Sequence, residues 1–325
     1  MRHTFLLTVI LLVQIAVPVP LTGQVPVILD TDMGDDIDDA LALAFALKSP
    51  ELKILAITTV LQQGQRRADL TWKILEQHGR TDIPIGVGAE QTLLGEPSDQ
   101  TVRQTLALGA GDQQPEDKRQ NGLRLMIDTI LNSQEKVTVL AYGPLTNVAL
   151  ALRSEPRIRP KIQRIVLMNG VFFTPRLEYN TIRDPEASAI VYSSGLPITT
   201  VGLDVTLQCR MEEADLARFR DSQLPNVQFL YQLIEIWQQG KTDQRPILHD
   251  PLAVAITFRP ELIRTSPGRV NVELNGTPKQ TYGMTLFKED QQAKTRVAAE
   301  VEERAFLDLF VERVTTGAAK SAPAQ

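Results

Sequence analysis

Six aspartates stand within ten positions near the start of the chain, between two apolar segments. The stretch reads VPVILDTDMGDDIDDALALAF over residues 25–45, and its acids are Asp30, Asp32, Asp35, Asp36, Asp38 and Asp39. Crowded carboxylates repel and raise one another's pKa, so a folded chain keeps them together only when something offsets their charge. A bound divalent cation does this, and oxygen ligands alone favour a hard ion, Ca²⁺ or Mg²⁺.

Two other interpretations compete at this stretch. A helix that begins at Asp38 and Asp39 would favour negative charge in its first turn, but helix capping accounts for one or two acids and not for six. Asp30 and Asp32, just after a strand, also suit a phosphatase in which the first aspartate attacks phosphate and the second exchanges protons. Gly34 stands where that motif usually has Thr or Val. Metal binding is therefore the favoured interpretation.

Short apolar runs alternate with amphipathic segments and predict the elements that position these acids. Strands are predicted over residues 25–29, 52–59, 83–87, 137–140, 162–168 and 198–202, with a hairpin of 270–274 and 282–287. Helices are predicted over 40–47, 66–77, 123–131, 145–152, 185–194, 211–220, 227–239, 251–256 and 300–314. This alternation is typical of an α/β fold with a mainly parallel central sheet and helices on both faces. Ligands of such folds bind at the carboxyl ends of the strands.

Four further motifs follow where predicted strands end. They are AYGPLTN at 141–147, LMNG at 167–170 with EYN at 178–180, VGLDVT at 201–206, and HDPLAVA at 249–255. In this order, and after the acidic stretch, they resemble the nucleoside hydrolase family, the inosine–uridine-preferring group and its relatives. The resemblance covers about residues 25–255. It implies a Rossmann-like nucleoside hydrolase fold and hydrolysis of a ribonucleoside to ribose and free base.

The resemblance also implies a Ca²⁺ that binds the 2′ and 3′ hydroxyls of ribose and one water. The implied metal ligands are Asp32, Asp39, Asp250 and the backbone carbonyl of Tyr142, and Asp32 is also the general base for the water. The acidic stretch is two residues longer than the family's D-x-D-x-G-x-D-D-A, so we align it on the helix that follows. Asp36 stays an alternative ligand.

The substrate-binding residues implied by the resemblance are Asp38, Gln63, Met168, Glu178 and Asn180. Asp38 would accept a ribose hydroxyl, and Gln63 stands where the family has an Asn that meets the ribose. His249 has two interpretations: a proton donor to the leaving base, or a packed histidine that orients the neighbouring Asp250.

The chain departs from the family between Met168 and Glu178, where the segment is shorter than in better-known members. It has no Asn beyond Asn169 to hold the 5′ hydroxyl. Arg176 meeting an acidic 5′ substituent and Phe173 stacking on a base are two interpretations, and ordinary loop residues are the third. The departure motivates an alternative function with the same fold and metal but a different ribosyl or polyol-like substrate. A non-catalytic exported sugar- or calcium-binding protein is a further alternative.

The first residues are typical of a secretory signal. Arg2 and His3 precede the mostly apolar run 5–17, which Pro18 and Pro20 end. The run is short for a membrane span, so we predict a signal peptide over residues 1–23 and no stable membrane insertion after cleavage. An uncleaved anchor is the alternative. We expect an exported protein, periplasmic or secreted, with a catalytic domain over 24–316 and a disordered tail over 317–325.

The bulk composition sets further limits. The 325 residues are 43% hydrophobic, enough for a large core, and the net charge of -5 weighs against a nucleic-acid partner. Cys209 is the one cysteine, so it forms no internal disulfide, and we predict a small buried side chain and not a nucleophile. Residues 90–120 are largely polar and predict either a mobile flap or a plain surface excursion. Relatives are often dimers or tetramers, which leaves a homo-oligomer open.

Overall fold

The computed structural model describes residues 23–95 and 102–316. Within them the strands are β1 Val25–Thr31, β2 Leu52–Thr59, β3 Ile85–Val87, β4 Gln120–Asn121, β5 Val137–Ala141, β6 Ile162–Met168, β7 Ile198–Val201, β8 Ile263–Val272, β9 Thr285–Glu289 and β10 Thr295–Val301. The helices are α1 Asp38–Leu47, α2 Gly64–Gln77, α3 Gly122–Asn132, α4 Thr146–Ser154, α5 Tyr179–Arg183, α6 Pro185–Tyr192, α7 Leu203–Thr206, α8 Glu213–Arg220, α9 Pro225–Gln238, α10 His249–Phe258 and α11 Glu303–Thr315. The predicted signal peptide, apart from Gly23, and the predicted tail lie outside the described residues.

All of these strands belong to one sheet, in the order β4-β3-β2-β1-β5-β6-β7-β10-β8-β9. Neighbours from β4 to β10 pair in parallel, whereas β10 with β8 and β8 with β9 pair antiparallel. The strands β1, β5, β6 and β7 are therefore consecutive in the sheet, and their carboxyl ends lie side by side. This confirms the predicted mainly parallel sheet and explains why distant motifs converge.

Side-chain alternation on the strands gives the sheet two buried faces. On β1, Val27 and Leu29 join one core cluster, while Ile28 between them joins the other. Apolar side chains of α1, α2 and α8–α11 cover the first face, and those of α3, α4 and α6 cover the second. Burial on both faces is the reason that the central strands read as nearly continuous apolar runs.

The predicted start of the last helix at residue 300 is wrong. The strand β10 runs to Val301, and α11 begins at Glu303. The residues Ala298–Glu300 favour a helix by intrinsic propensity, but they pair with β8, and the strand inserts between β7 and β8. Tertiary pairing thus overrides the local preference. The predicted hairpin of residues 270–274 and 282–287 is confirmed, because β8 and β9 form an antiparallel pair there.

The polar segment 90–120 is only partly described, because residues 96–101 lie outside the described ranges. Its described part contains 3-10 helices at Arg103–Ala107 and Glu116–Lys118 and the short edge strand β4. Gln104 is fully buried and donates from Nε2 to the backbone carbonyl of Asp36. The segment therefore packs against the acidic stretch at Gln104. That residues 90–120 form a mobile flap stays a prediction. No helix in the described ranges combines the length and the apolarity that crossing a bilayer requires.

Candidate active site

A cavity of about 920 Å³ opens at the carboxyl ends of the consecutive strands β1, β5 and β6. Its walls contain ten of the residues singled out from the sequence: Asp32, Asp36, Asp38, Asp39, Tyr142, Met168, Glu178, Asn180, His249 and Asp250. The volume is typical of small-molecule sites and exceeds what a single ion needs. The structure thus brings most of the predicted site into one place.

Three carboxyl groups form the floor of this cavity. Oxygens of Asp38, Asp39 and Asp250 lie within 4.8 Å of one another, and all three side chains are buried. Asp38 and Asp39 occupy the first turn of α1, and Asp250 the first turn of α10, which packs beside it. The backbone N–H of Asp250 donates to Asp38 Oδ2 over 3.3 Å, and the Thr31 hydroxyl donates to Asp39.

The crowding of these three buried carboxyl groups favours a bound cation. Burial raises the pKa of Asp38, Asp39 and Asp250 well above the usual range, and the neighbouring carboxylates raise it further. A divalent ion would offset this crowding, and an all-oxygen donor set suits a hard ion. The residues present therefore fit a metal of the predicted kind.

Asp32 stands beside this group of three and not within it. Its carboxyl faces the cavity and is 5% exposed. Burial raises the pKa of Asp32 to about 7, while the positive charge of Arg67 acts to lower it. Its charge in turn raises the pKa of Asp39 and Asp250, so the groups lie close together. A carboxylate with this pKa at a cavity wall is suited to accept a proton.

The wall opposite the acids is organised by Asn180. Its Nδ2 donates to the backbone carbonyls of Tyr142 and Met168, each over 3.0 Å. Both N–H bonds of the amide are used in this way, so its oxygen is the group that Asn180 can offer to a ligand. The carbonyl of Tyr142, the predicted backbone ligand, accepts one of these bonds and retains a second lone pair.

Glu178 is chiefly a scaffold for this wall. Its carboxylate caps α5 and accepts from the backbone N–H groups of Asn180, at 2.6 Å, and Thr181, at 2.9 Å. It also accepts from the N–H of Gly170 at 2.9 Å, which joins the end of β6 to α5. Burial nevertheless raises the pKa of Glu178. The side chain lines the cavity and also fixes the position of Asn180.

His249 combines features of both interpretations given to it. The half-buried ring lines the cavity, and Nδ1 lies 2.6 Å from Thr206 Oγ1. Burial, helped by the charge of Arg210, lowers the pKa of His249 to about 4. The imidazole is therefore uncharged at neutral pH, packed against α7, and still able to reach a ligand.

Other residues singled out from the sequence lie away from the cavity walls. Gln63 is exposed at the N-cap of α2, with φ of 61°. Arg176 is exposed, and Phe173 packs edge-on against Phe287 with ring centroids 5.6 Å apart. The carboxylate of Asp204 accepts from the N–H groups of residues 172 and 173 and holds this shortened segment. A ribose contact from Gln63 stays a prediction.

Asp30 lies behind the cavity, which disfavours the phosphatase interpretation. Its side chain is fully buried, and Oδ1 accepts from Asn147 Nδ2 at 2.7 Å and from the Thr58 hydroxyl. Burial raises the pKa of Asp30 to about 7. A nucleophile must reach its substrate, and this carboxyl group is enclosed by protein.

Two residues near the acids were not predicted from the sequence. Arg67 is fully buried beneath the acidic stretch, and Trp237 on α9 lines the cavity and hydrogen-bonds the side chain of Asp36. The sequence does contain a signal for the burial of Arg67, because this residue lies on the same face of α2 as Thr71 and Ile74, which are buried. A cation at such a position requires a buried acceptor.

Most of the chain matches a known protein family. The model of the inosine-uridine preferring nucleoside hydrolases matches residues 27–308. The chain belongs to this family. It is therefore a hydrolase that acts on N-glycosyl compounds and cleaves ribonucleosides. The metal dependence of the family agrees with the buried acidic floor of the cavity.

Relatives of this nucleoside hydrolase span nearly the same length. The pyrimidine-specific ribonucleoside hydrolase RihA of Salmonella typhi is 35% identical over 308 residues, covering 89% of this chain and 98% of its own. A plant nucleoside hydrolase, PpNRh1, has a TM-score of 0.78 at 28% identity, covering 90% of this chain and 99% of its own. The purine-preferring ribonucleoside hydrolase of Gardnerella vaginalis has a TM-score of 0.77 at 28% identity, covering 89% and 98%.

Proposed function

We propose that this nucleoside hydrolase is an exported, Ca²⁺-dependent enzyme that releases ribose and a free base from ribonucleosides. The observation that carries the proposal is the convergence of Asp38, Asp39 and Asp250 at the floor of the cavity, with Asp32 beside them. Asp39, Asp250 and Asp32 would hold the ion together with the carbonyl of Tyr142, as the resemblance implies, and the position of Asp38 beside Asp39 and Asp250 adds it to this set. When bound, Ca²⁺ supplies positive charge that orients the ribose hydroxyls and lowers the pKa of a water.

The residues of the chain then perform the proton transfer. Asp32 accepts a proton from the attacking water as the new bond to the anomeric carbon forms. The C–N bond breaks with its electron pair on the base, which takes up a proton from solvent while Asp32 returns its own to solvent, and positive charge builds on the sugar ring during the cleavage, as in other glycosyl cleavages. The carboxylate of Asp38 and the amide oxygen of Asn180 stabilise that charge. Because His249 is uncharged at neutral pH, we assign it a hydrogen bond to the leaving base.

The base preference is best tested with both classes of base, because the relatives include one named pyrimidine-specific and one named purine-preferring. The purified protein is incubated with uridine, cytidine, inosine, adenosine and guanosine, and reducing sugar is measured. We expect release of ribose from at least one, loss of activity on chelation, and recovery with Ca²⁺. Release from none of the five would contradict the proposal.

The role of Asp32 is tested in the same assay. Asp32→Asn removes the proton acceptor and keeps the shape of the side chain, so kcat should fall by about 10²- to 10⁴-fold. Asp308→Asn, at a solvent-exposed acid on α11, is the matched control and should retain the wild-type kcat. Equal activity of the Asp32 variant and the control would exclude Asp32 as the base.

Export rests on the N-terminal sequence, with Arg2 and His3 ahead of the apolar run 5–17. Expression of the full chain in a bacterium, followed by fractionation and N-terminal sequencing, tests this part separately. We expect mature protein outside the cytoplasm that begins near residue 24. A full-length cytoplasmic product would contradict export and leave the enzymatic proposal intact.

A further inference from the structure

The acidic stretch rests on a buried guanidinium. Arg67, in the first turns of α2, has no solvent exposure. Its Nη1 donates to the backbone carbonyls of Asp32 and Met33, the latter at 2.9 Å, and its Nε donates to the carbonyl of Gln62 at 3.0 Å. Its Nη2 pairs with Asp35 Oδ2 at 3.0 Å. One planar group thus holds three carbonyls and one carboxylate.

These contacts matter because they hold the first two carbonyls of the loop, whereas Gln104 holds the carbonyls of Gly34 and Asp36 further along it. Residues 32–37 form turns and bends between β1 and α1, so the sheet and helix ladders do not satisfy all of their carbonyls. Gly34 has φ of 107°, and a Cβ there would collide with Val102. The carbonyl of Asp32 belongs to the residue whose side chain faces the cavity. A hydrogen bond to that carbonyl therefore limits where the carboxyl group can point.

The positive charge of Arg67 also lies close to the acids and acts to lower the pKa of Asp32. An arginine side chain stays protonated in proteins, so it is a permanent cation under a cluster of carboxylates. Lysine would keep the charge, but a single ammonium on a flexible stem cannot reproduce the planar fork. Charge and geometry can therefore be separated by substitution.

We infer that Arg67 is a positioning residue, which fixes the backbone at Asp32 and Met33 so that the carboxyl group of Asp32 meets the ion and the substrate. The inference rests on the proposed function of the cavity. It assigns to α2 a part in catalysis, although no residue of α2 lines the cavity. The ion pair with Asp35 fixes the guanidinium, and the bonds to the carbonyls do the positioning.

The experiment compares Arg67→Lys and Arg67→Met with the wild-type chain. Steady-state kinetics use the ribonucleoside that the wild type hydrolyses fastest, and Ca²⁺ affinity is measured by calorimetry. For Arg67→Lys we expect kcat to fall by about 100-fold, because a small misplacement of a catalytic group has this effect. KM should change less than about threefold, and Ca²⁺ affinity should fall by about 10- to 100-fold in both variants. Arg124→Met, at an exposed arginine on α3, is the control and should match the wild type.

Thermal unfolding of each variant separates positioning from general stability. If Arg67→Lys keeps the wild-type kcat and Ca²⁺ affinity while its Tm falls, Arg67 is merely structural and the inference is overturned. If Arg67→Met does not fold, the kcat and the Ca²⁺ affinity of Arg67→Lys alone decide whether Arg67 is a positioning residue. If the wild type hydrolyses no ribonucleoside, the proposed function fails, but Ca²⁺ affinity still tests whether Arg67 positions the acids.

Discussion

At the scale of single residues, the carboxylates of the acidic stretch differ in their surroundings. Asp39 joins the buried floor of the cavity. Asp36, the alternative ligand, instead accepts from the N–H of Ile37 at 2.7 Å and from the side chain of Trp237. Asp36 thus bonds to its neighbours in the fold, and its role as the alternative ligand stays a prediction.

This contrast predicts different effects of two isosteric substitutions. Asp39→Asn removes a ligand and should weaken Ca²⁺ binding by more than the 10- to 100-fold typical of supporting residues. Asp36→Asn should keep Ca²⁺ affinity within about threefold and act on substrate KM through Trp237. Calorimetric titration of both variants measures the difference. A larger loss of affinity in Asp36→Asn than in Asp39→Asn would make Asp36 the ligand.

At the scale of elements, a histidine joins α2, which holds the acidic stretch through Arg67, to α9, which lines the cavity through Trp237. His78 follows α2, and its Nδ1–H donates to the carbonyl of Ile74 at 2.8 Å. Its Nε2 accepts from the side-chain N–H₂ of Asn226 on α9 at 3.3 Å, since an amide nitrogen can only donate. The other end of α9 carries Trp237. The imidazole of His78 thus links the end of α2 to the first turn of α9.

The contact predicts how stability depends on pH. Burial lowers the pKa of His78 below its ordinary value of 6.5. The unfolded chain therefore binds this proton more readily than the folded chain, and the stabilisation is complete above pH 6.5 and lost as pH falls toward the folded pKa. Urea unfolding of the wild type and of His78→Gln between about pH 7.5 and 5.5 tests this. The unfolding free energy of the wild type should fall relative to that of His78→Gln over that range, and an unchanged difference between the two would contradict the prediction.

At the scale of the whole molecule, the site ties the beginning of the chain to its later part. Asp38 and Asp250 are 212 positions apart and share a hydrogen bond. Their helices α1 and α10 pack together in the first core. An ion held by both would therefore bind the folded chain and not the unfolded one.

Binding of this kind predicts a concentration-dependent stabilisation. Ca²⁺ at about 100 times its Kd should raise the free energy of unfolding by about 2.7 kcal/mol. Thermal unfolding across a Ca²⁺ series measures this, with Asp308→Asn as a control that should respond like the wild type. Asp250→Asn should respond little. A Tm that is insensitive to Ca²⁺ in the wild type would exclude a site formed only on folding.

The parts of the structure that could be predicted are those with a local signal. Apolar runs located most of the strands, and their alternation with helices predicted a mainly parallel sheet, whereas the order of the strands came from the structure. The contacts of Arg67 and Trp237 with the acidic stretch could not be predicted, because they join residues 32 or more positions apart through loops without periodicity. The strand β10 was missed because its alanines favour a helix until a sheet edge is present to pair with them.

The place of β10 between β7 and β8 has a consequence for the nascent chain. Synthesis delivers the acidic stretch first, Asp250 far later, and the strand that fills the gap in the sheet last. A ribosome-bound fragment ending before residue 249 holds crowded acids without their partner. Such a fragment lacks one carboxylate of the proposed metal site, and one ending before residue 295 exposes the unpaired edge of β7 to other chains. The proposed metal site can therefore form only after residue 250 has been synthesised, and the sheet can close only after β10 has been.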